Sequence, residues 1–394
     1  MRILMVSDVY FPRINGVSTS IETFRRTLAE QGVEVRLVVP RYGDEPEMEG
    51  IVRVPGRPVP GDPEDRIVNW RAMHSATLEA AKDCNLIHIQ TPFVAHYAGL
   101  KAARSLGLPV IATYHTLFEE YISHYAPWLP AGWLKARARA LSRRQCNQLD
   151  AVVVPSTAMQ RRLEEYGITS PRHVLPTGIP TAQFAGGDGA AFRYKYGILS
   201  NRPVALFVGR VAHEKNIGFL LESLIHTRRL RPDVLLVVAG EGPAMDDLKA
   251  QVKRLGLRDS VQFIGYLDRV QALPDCYAAA NVFVFASRTE TQGLVLLEAM
   301  AAGLPTIALA EMGTLDILAS GRGAISPPAV PKVFGEAVGD YLNRTGAWPM
   351  WREAARSFAN EWSDTAMASR LAALYTEQIA LKNAEKQPFT VATC

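Results

Sequence analysis

Thr289-Glu290-Thr291-Gln292-Gly293-Leu294-Val295-Leu296-Leu297-Glu298-Ala299-Met300 follows an apolar run, Val282 to Phe285, and leads into a helix-like run over about 293–302. Seven residues, glycine among them, separate its two glutamates. A strand that feeds a helix through a short loop leaves the first helical N–H groups unpaired, where they can face an anion. Glu290 falls in the loop and Glu298 lies along the helix. At about 1.5 Å per helical residue, the two carboxylates stand up to about 12 Å apart. A nucleotide-sugar fits that frame: one carboxylate for sugar hydroxyls, the helix end for the diphosphate, the other carboxylate for ribose hydroxyls. A glutamate pair alone reads more readily as the solvated face of a surface helix than as a ligand site. The helix around Glu298 is otherwise almost wholly apolar (Leu294, Val295, Leu296, Leu297, Ala299, Met300), however, so it reads as buried. A buried carboxylate needs a partner.

Outward from this stretch, short β-branched runs alternate with helix-length amphipathic segments from end to end. One set covers 2–7, 35–39, 86–90, 110–114 and 151–154; a second covers 204–208, 234–239, 261–264, 282–285 and 305–309. Such alternation implies parallel sheets covered on both faces. The stretch 181–191, rich in glycine and alanine, follows Pro176-Thr177-Gly178-Ile179-Pro180. The expected organisation is a first domain over 1–180, a linker over 181–200, a second domain over 201–362, and a C-terminal helix and tail over 363–394 packing back on the first domain. Ligands of open parallel sheets bind beyond the carboxyl ends of the strands. Functional residues are therefore expected immediately after these runs.

A chain of 394 residues with 48% apolar and 21% charged residues suits two globular domains rather than a disordered or fibrous chain. No apolar run reaches the length of a membrane span without a charge or proline, and the apolar start, Met1 to Val6, reads as a first strand rather than a signal peptide. The four cysteines, Cys84, Cys146, Cys276 and Cys394, lie far apart, which fits a reducing cytosol better than a disulfide framework or a zinc site. The net charge of +4 is modest, and no nucleic-acid partner is expected.

The glutamate-pair stretch resembles the motif of the retaining glycosyltransferases of family four, and the similarity covers essentially the whole chain. It implies the GT-B fold: two Rossmann-like, doubly wound parallel-sheet domains facing a central cleft. Gly209-Arg210-Val211-Ala212-His213-Glu214-Lys215 follows the first strand of the second domain. Two cations five apart at a strand end can converge on a diphosphate, arginine with forked donors and lysine as a mobile charge. The resemblance makes Arg210 and Lys215 the pyrophosphate pair. It places Glu290, with N–H groups near Gly293 and Leu294, on the sugar, and Glu298 on the ribose.

In Asp8-Val9-Tyr10-Phe11-Pro12-Arg13-Ile14-Asn15-Gly16-Val17-Ser18-Thr19, the Asn-Gly loop before small hydroxyl residues suits phosphate or sugar contact. It suits an ordinary turn capped by Ser18 or Thr19 equally well. The resemblance favours Gly16 as a donor-site residue. His115 ends the run 110–114 at the ligand edge, where the family carries a histidine that contacts a sugar hydroxyl; His88, His96 and His124 lack that support. Gly240-Glu241-Gly242-Pro243 is read as a supporting turn. No Asp-x-Asp and no His/Cys cluster with metal spacing occurs in the sequence, so metal-independent chemistry without a cofactor is expected. Departures from the family pattern are Thr177 for an asparagine, Asn281 for an aspartate, and a single glycine in Glu311-Met312-Gly313-Thr314.

Trp128, Leu129, Trp133 and Leu134 precede Lys135, Arg137, Arg139, Arg143 and Arg144, with no acidic residue over 133–146. Aromatic residues beside a basic helix suit an anionic lipid surface. The alternative is a helix whose Trp and Leu residues pack inward while its arginines are simply solvated. Residues 288–295, Arg-Thr-Glu-Thr-Gln-Gly-Leu-Val, are similar to the stretch in bacterial diacylglycerol glucosyltransferases, cytosolic enzymes that bind the membrane surface, and also to members with other acceptors. The expected partners are a nucleotide-sugar, UDP-sugar favoured, a lipid acceptor such as diacylglycerol or a glycolipid, and an anionic membrane surface at the inner face of the cytoplasmic membrane. A soluble acceptor, a UDP-sugar 2-epimerase on the same architecture and a non-catalytic carbohydrate-binding protein are the alternatives. A NAD-dependent dehydrogenase fails for want of Gly-x-Gly-x-x-Gly after any strand.

Overall fold

The computed structural model describes residues 1–59, 62–115 and 131–386. It divides into two compact units, Met1–Gly178 with Asp364–Cys394, and Ile179–Ser363.

In the first unit the strands are β1 (Arg2–Val6), β2 (Glu34–Pro40), β3 (Ile51–Val54), β4 (Gly56–Val59), β5 (Asp62–Val68), β6 (Leu86–Ile89), β7 (Val110–Thr113), β8 (Ala151–Val154) and β9 (Arg172–Val174). Seven of them form a parallel sheet in the order β3-β2-β1-β6-β7-β8-β9, while β4 and β5 pair antiparallel. Val6 stands opposite both Val38 and Ile89, so β1 is central. Its neighbour β6 and the more distant β8 are buried at every position, as a sheet covered on both faces requires. Ile21, Phe24 and Leu28 of the helix Gly16–Glu30 share a core with Met367, Ala368, Leu371, Leu374 and Tyr375 of the helix Asp364–Lys386. Arg26 pairs with Asp364 at 2.7 Å across that contact. The Tyr375 hydroxyl lies 2.7 Å from His88 Nδ1 in the buried interior.

The second unit carries β10 (Val204–Val208), β11 (Leu235–Ala239), β12 (Val261–Gly265), β13 (Val282–Phe285), β14 (Thr306–Ala308) and β15 (Ala324–Ile325). They form a parallel sheet in the order β12-β11-β10-β13-β14-β15. Both sheets are Rossmann-like: strand order runs outward in two directions from a central strand. The reversal falls between β1 and β6 in one unit and between β10 and β13 in the other.

The stretch read as a linker, 181–200, is instead part of the second unit. It folds as two short helices, Thr181–Ala185 and Gly189–Lys195, whose Phe184 and Phe192 are buried in that unit's core. Asp188 caps the second of them, accepting from Ala190 N at 3.1 Å and Ala191 N at 2.9 Å. Glycine and alanine there serve close packing: a Cβ on Gly187 would lie 2.2 Å from the Pro274 carbonyl oxygen.

Candidate active site

The reversal of strand order in the second sheet opens a crevice beyond the carboxyl ends of β10 and β13. Two loops meet there. The β10 loop is seated on its neighbour: Gly209 N donates to Ala239 O at 3.0 Å and Val211 N to Glu241 O at 2.9 Å. A Cβ on Gly240, whose φ is +137°, would lie 1.9 Å from Gly209 O, so only glycine allows this approach. The turn His213–Lys215 then ends at Asn216, whose Nδ2 donates to Ala286 O at 3.2 Å. Ser287 Oγ donates to Glu214 O at 3.3 Å. These bonds carry Lys215 onto Glu290, and the two side chains form an ion pair, 21% and 17% exposed. Arg210 leaves the same strand end exposed, with no ion-pair partner among the described residues.

Gly293 precedes the helix Leu294–Ala301 with φ +88°, and no side chain caps the helix. The Leu294 and Val295 N–H groups therefore have no partner among the described residues, whereas Leu296 N donates to Gly293 O at 3.0 Å. The backbone of this loop is held by Gly313 N, which donates to Glu290 O at 2.8 Å. Within the 311–314 loop, Thr314 Oγ1 donates to Glu311 O at 2.7 Å. Met312 takes φ +51°, in the left-handed region that glycine favours.

Glu298 is 1% exposed. Both of its oxygens are engaged: Arg269 pairs with Oε1, and the Tyr277 hydroxyl donates to Oε2 at 3.0 Å. Tyr277 is fully buried, and burial together with the adjacent carboxylate pushes its hydroxyl pKa well above the ordinary value. Arg269, with a side chain 52% exposed, covers the carboxylate from outside. Its loop is fixed by Asp268, which accepts from Val270 N at 3.1 Å and Gln271 N at 2.9 Å. Sequence reasoning required a partner for Glu298 but did not find Arg269 or Tyr277. Neither lies at helical spacing from Glu298, and only the fold brings them to it.

In the first unit, Asp8 follows β1 and accepts from Thr91 Oγ1 at 2.7 Å and from Ala95 N at 3.1 Å. Burial pushes its carboxyl up to about 6 against those hydrogen bonds. His115 follows β7, with Nε2 2.9 Å from Gln90 Oε1, and burial lowers its pKa to about 4. Gly16 is exposed at the start of its helix, and the N-cap is Asn15, accepting from Ser18 N at 2.9 Å, rather than Ser18 or Thr19. Two of the sequence departures are structural. Thr177 Oγ1 lies 2.7 Å from Ser20 Oγ. Asn281 precedes β13 at the opposite end from the crevice, accepting from Val204 N at 2.8 Å and Arg193 at 3.1 Å.

The basic segment forms the helix Ala131–Cys146; Trp128 lies outside the described residues. Leu134, Ala138, Ser142 and Gln145 are buried, whereas Arg137, Arg139, Arg143 and Arg144 are exposed and Lys135 is half-buried. Trp133 points outward, 51% exposed, with the Arg137 guanidinium 5.0 Å from its ring centre. Leu134 thus packs inward and Trp133 does not, while Leu129, like Trp128, lies outside the described residues. Among the described residues, no helix is long and apolar enough to cross a membrane, and no cluster of three His, Cys, Asp or Glu side chains could hold a metal.

Comparison with known proteins gives this arrangement a family. The model of Glycosyltransferase Family 4 matches residues 14–183, and that of Glycosyl transferases group 1 matches residues 189–358. An alpha-monoglucosyldiacylglycerol synthase of Streptococcus pneumoniae is 36% identical over 319 residues, covering 78% of this chain and 71% of the relative. One from Acholeplasma laidlawii is 28% identical over 323 residues, covering 78% and 80%. The crystal structure of HepE from Anabaena in complex with UDP superposes with a TM-score of 0.74 at 17% identity, over 96% of this chain and 100% of that one. The chain belongs to glycosyltransferase family 4 and is a glycosyltransferase of the GT-B fold.

Proposed function

We propose that the enzyme moves a hexose, glucose favoured, from a UDP-sugar to a membrane lipid, diacylglycerol or a close glycolipid, with retention at the anomeric carbon and without a metal. The observation that carries this reading is the Lys215–Glu290 pair beside the uncapped helix end at Leu294. It offers a cation already held in place and free N–H groups for a leaving diphosphate, and a carboxylate for a sugar hydroxyl. Arg210 adds a second cation on the diphosphate, and Glu298 takes the ribose hydroxyls once Arg269, which covers its carboxylate, moves aside. The acceptor oxygen bonds to the anomeric carbon on the face that the diphosphate leaves, and its proton passes to a phosphate oxygen. The names of the two relatives support both acceptor and configuration: UDP-glucose holds its glucose α-linked, so an alpha-monoglucosyl product is one of retention. The UDP complex of HepE supports the nucleotide.

The test is incubation of the enzyme with labelled UDP-glucose and vesicles containing diacylglycerol, with and without chelator, followed by NMR of the extracted lipid. An α-linked product formed at equal rates in both is expected. A β-linked product, or activity lost in chelator and restored by magnesium, would overturn the mechanism.

The ribose assignment has its own test. Glu298→Gln keeps an oxygen for the Tyr277 hydroxyl but removes the charge, and UDP binding measured by calorimetry should weaken by about 1.5–3 kcal/mol, the scale of charge-assisted hydrogen bonds. Glu298→Ala should also lower the melting temperature, because it leaves the buried Tyr277 hydroxyl unpaired. Unchanged UDP affinity in Glu298→Gln removes Glu298 from the nucleotide site.

A further inference from the structure

Gln90 and His115 face one another beyond the ends of two adjacent parallel strands, β6 and β7, whose register pairs Ile89 with Ala112. Gln90 is 4% exposed, and its backbone N–H donates to Val6 O at 2.9 Å. Tyr114 N donates to Val153 O at 2.8 Å, which carries the pairing of β7 up to the residue before His115. Both side chains therefore spring from fixed backbone. His115 Nε2 lies 2.9 Å from Gln90 Oε1, while Nδ1 has no hydrogen-bond partner among the described residues.

We infer that Gln90 is the positioning residue of His115: its carbonyl oxygen keeps the proton on Nε2, so that Nδ1 presents a lone pair to a substrate hydroxyl. A neutral imidazole has one donor nitrogen and one acceptor, and the partner of one decides the role of the other. Facing a carbonyl oxygen, Nε2 donates. Burial holds the ring neutral near pH 7, with a pKa lowered to about 4. His88, the titratable side chain that interacts with it, is also held neutral by burial, and its nitrogens are engaged by Tyr375 and Thr113 at 2.7 Å each. The polarity of Nδ1 matters for glycosyl transfer, because positive charge grows at the anomeric carbon in the transition state. A lone pair accepting from a sugar hydroxyl leaves electron density on that hydroxyl oxygen; an N–H donor in the same place would withdraw it. The tautomer stands on the geometry alone, whereas the substrate named here rests on the proposed glycosyl transfer.

The experiment is a long-range proton–nitrogen correlation spectrum of the ¹⁵N-labelled full chain at neutral pH, with His115 assigned by its loss in His115→Asn. The wild-type signal should show the proton on Nε2. In Gln90→Leu that preference should vanish, with kcat down about tenfold, the worth of one hydrogen bond, and KM for the donor little changed. Gln90→Glu retains an acceptor and so keeps Nε2–H, but its carboxylate raises the imidazole pKa. Its kcat should climb with pH through neutrality, where the wild type is flat. A wild-type ring protonated on Nδ1, or an unaltered tautomer in a folded Gln90→Leu, overturns the inference. Should Gln90→Leu fail to fold, the wild-type and Gln90→Glu spectra decide. If the tautomer depends on Gln90 but wild-type enzyme transfers no sugar to any lipid, the positioning stands and the functional reading fails.

Discussion

Replacing Lys215 with alanine is expected to lower kcat by about 10²–10³-fold, the scale for loss of one preorganised group at a developing charge. Three contacts hold the lysine in place before any substrate arrives: Asn216 on Ala286 O, Ser287 Oγ on Glu214 O, and its own pairing with Glu290. A cation fixed in advance need not reorganise when charge builds on the leaving diphosphate. The effect should therefore fall on kcat as well as on affinity for UDP. Lys215→Arg, which keeps the charge but not the compact reach, should recover only part of the rate. Steady-state kinetics with the donor varied, read beside UDP affinity from calorimetry, separate the two contributions. If kcat is unchanged and only KM rises, the lysine binds ground state and transition state equally and is no more than an anchor. The melting temperature is the control, since the substitution also leaves a largely buried Glu290 without its partner.

The candidate residues that were legible in the sequence of each unit share a cause. Strands buried on both faces read as unbroken apolar runs, so β1, β10, β11 and β13 announce themselves. In a parallel sheet the residues just after such runs must face the ligand edge, which marks Arg210, Lys215, Glu290 and His115 by position. Two strands of the first sheet gave no such signal. In β3 only Val54 is buried, and β9 has no fully buried residue, so neither shows a continuous apolar run. The linker reading failed because glycine and alanine serve tight packing as readily as mobility, and Phe184 and Phe192 were the residues that decided between them. Arg269, Tyr277 and Gln90 were beyond reach for a different reason. Each meets its partner across the fold, and no local spacing encodes a meeting between Gln90 and His115, 25 residues apart.

Reversing the charge of Arg137, Arg139, Arg143 and Arg144 to glutamate is expected to abolish binding to anionic vesicles while sparing affinity for UDP. Each basic residue near an anionic leaflet contributes about 1 kcal/mol. Losing four such contributions amounts to about 10³-fold in partition, before the repulsion of four new carboxylates is counted. The helix Ala131–Cys146 is suited to such a surface by the way it divides: Leu134 and Ala138 are buried, the four arginines are exposed, and Trp133 stands outward with Arg137 against its ring. An outward tryptophan among cations is the arrangement expected where a surface meets lipid headgroups, and it is wasteful on a face that meets only water. Binding of the wild type should rise with the fraction of anionic lipid and fall with salt, because the attraction is screened over about 10 Å at 0.1 M. Arg139 also lies over the Tyr166 ring at 5.4 Å, so a melting curve must accompany the variant. Sedimentation with vesicles of graded charge measures both dependences. Wild-type protein that ignores anionic vesicles while glycosylating a soluble acceptor efficiently would show the arginines to be a solvated face and the lipid acceptor to be wrong.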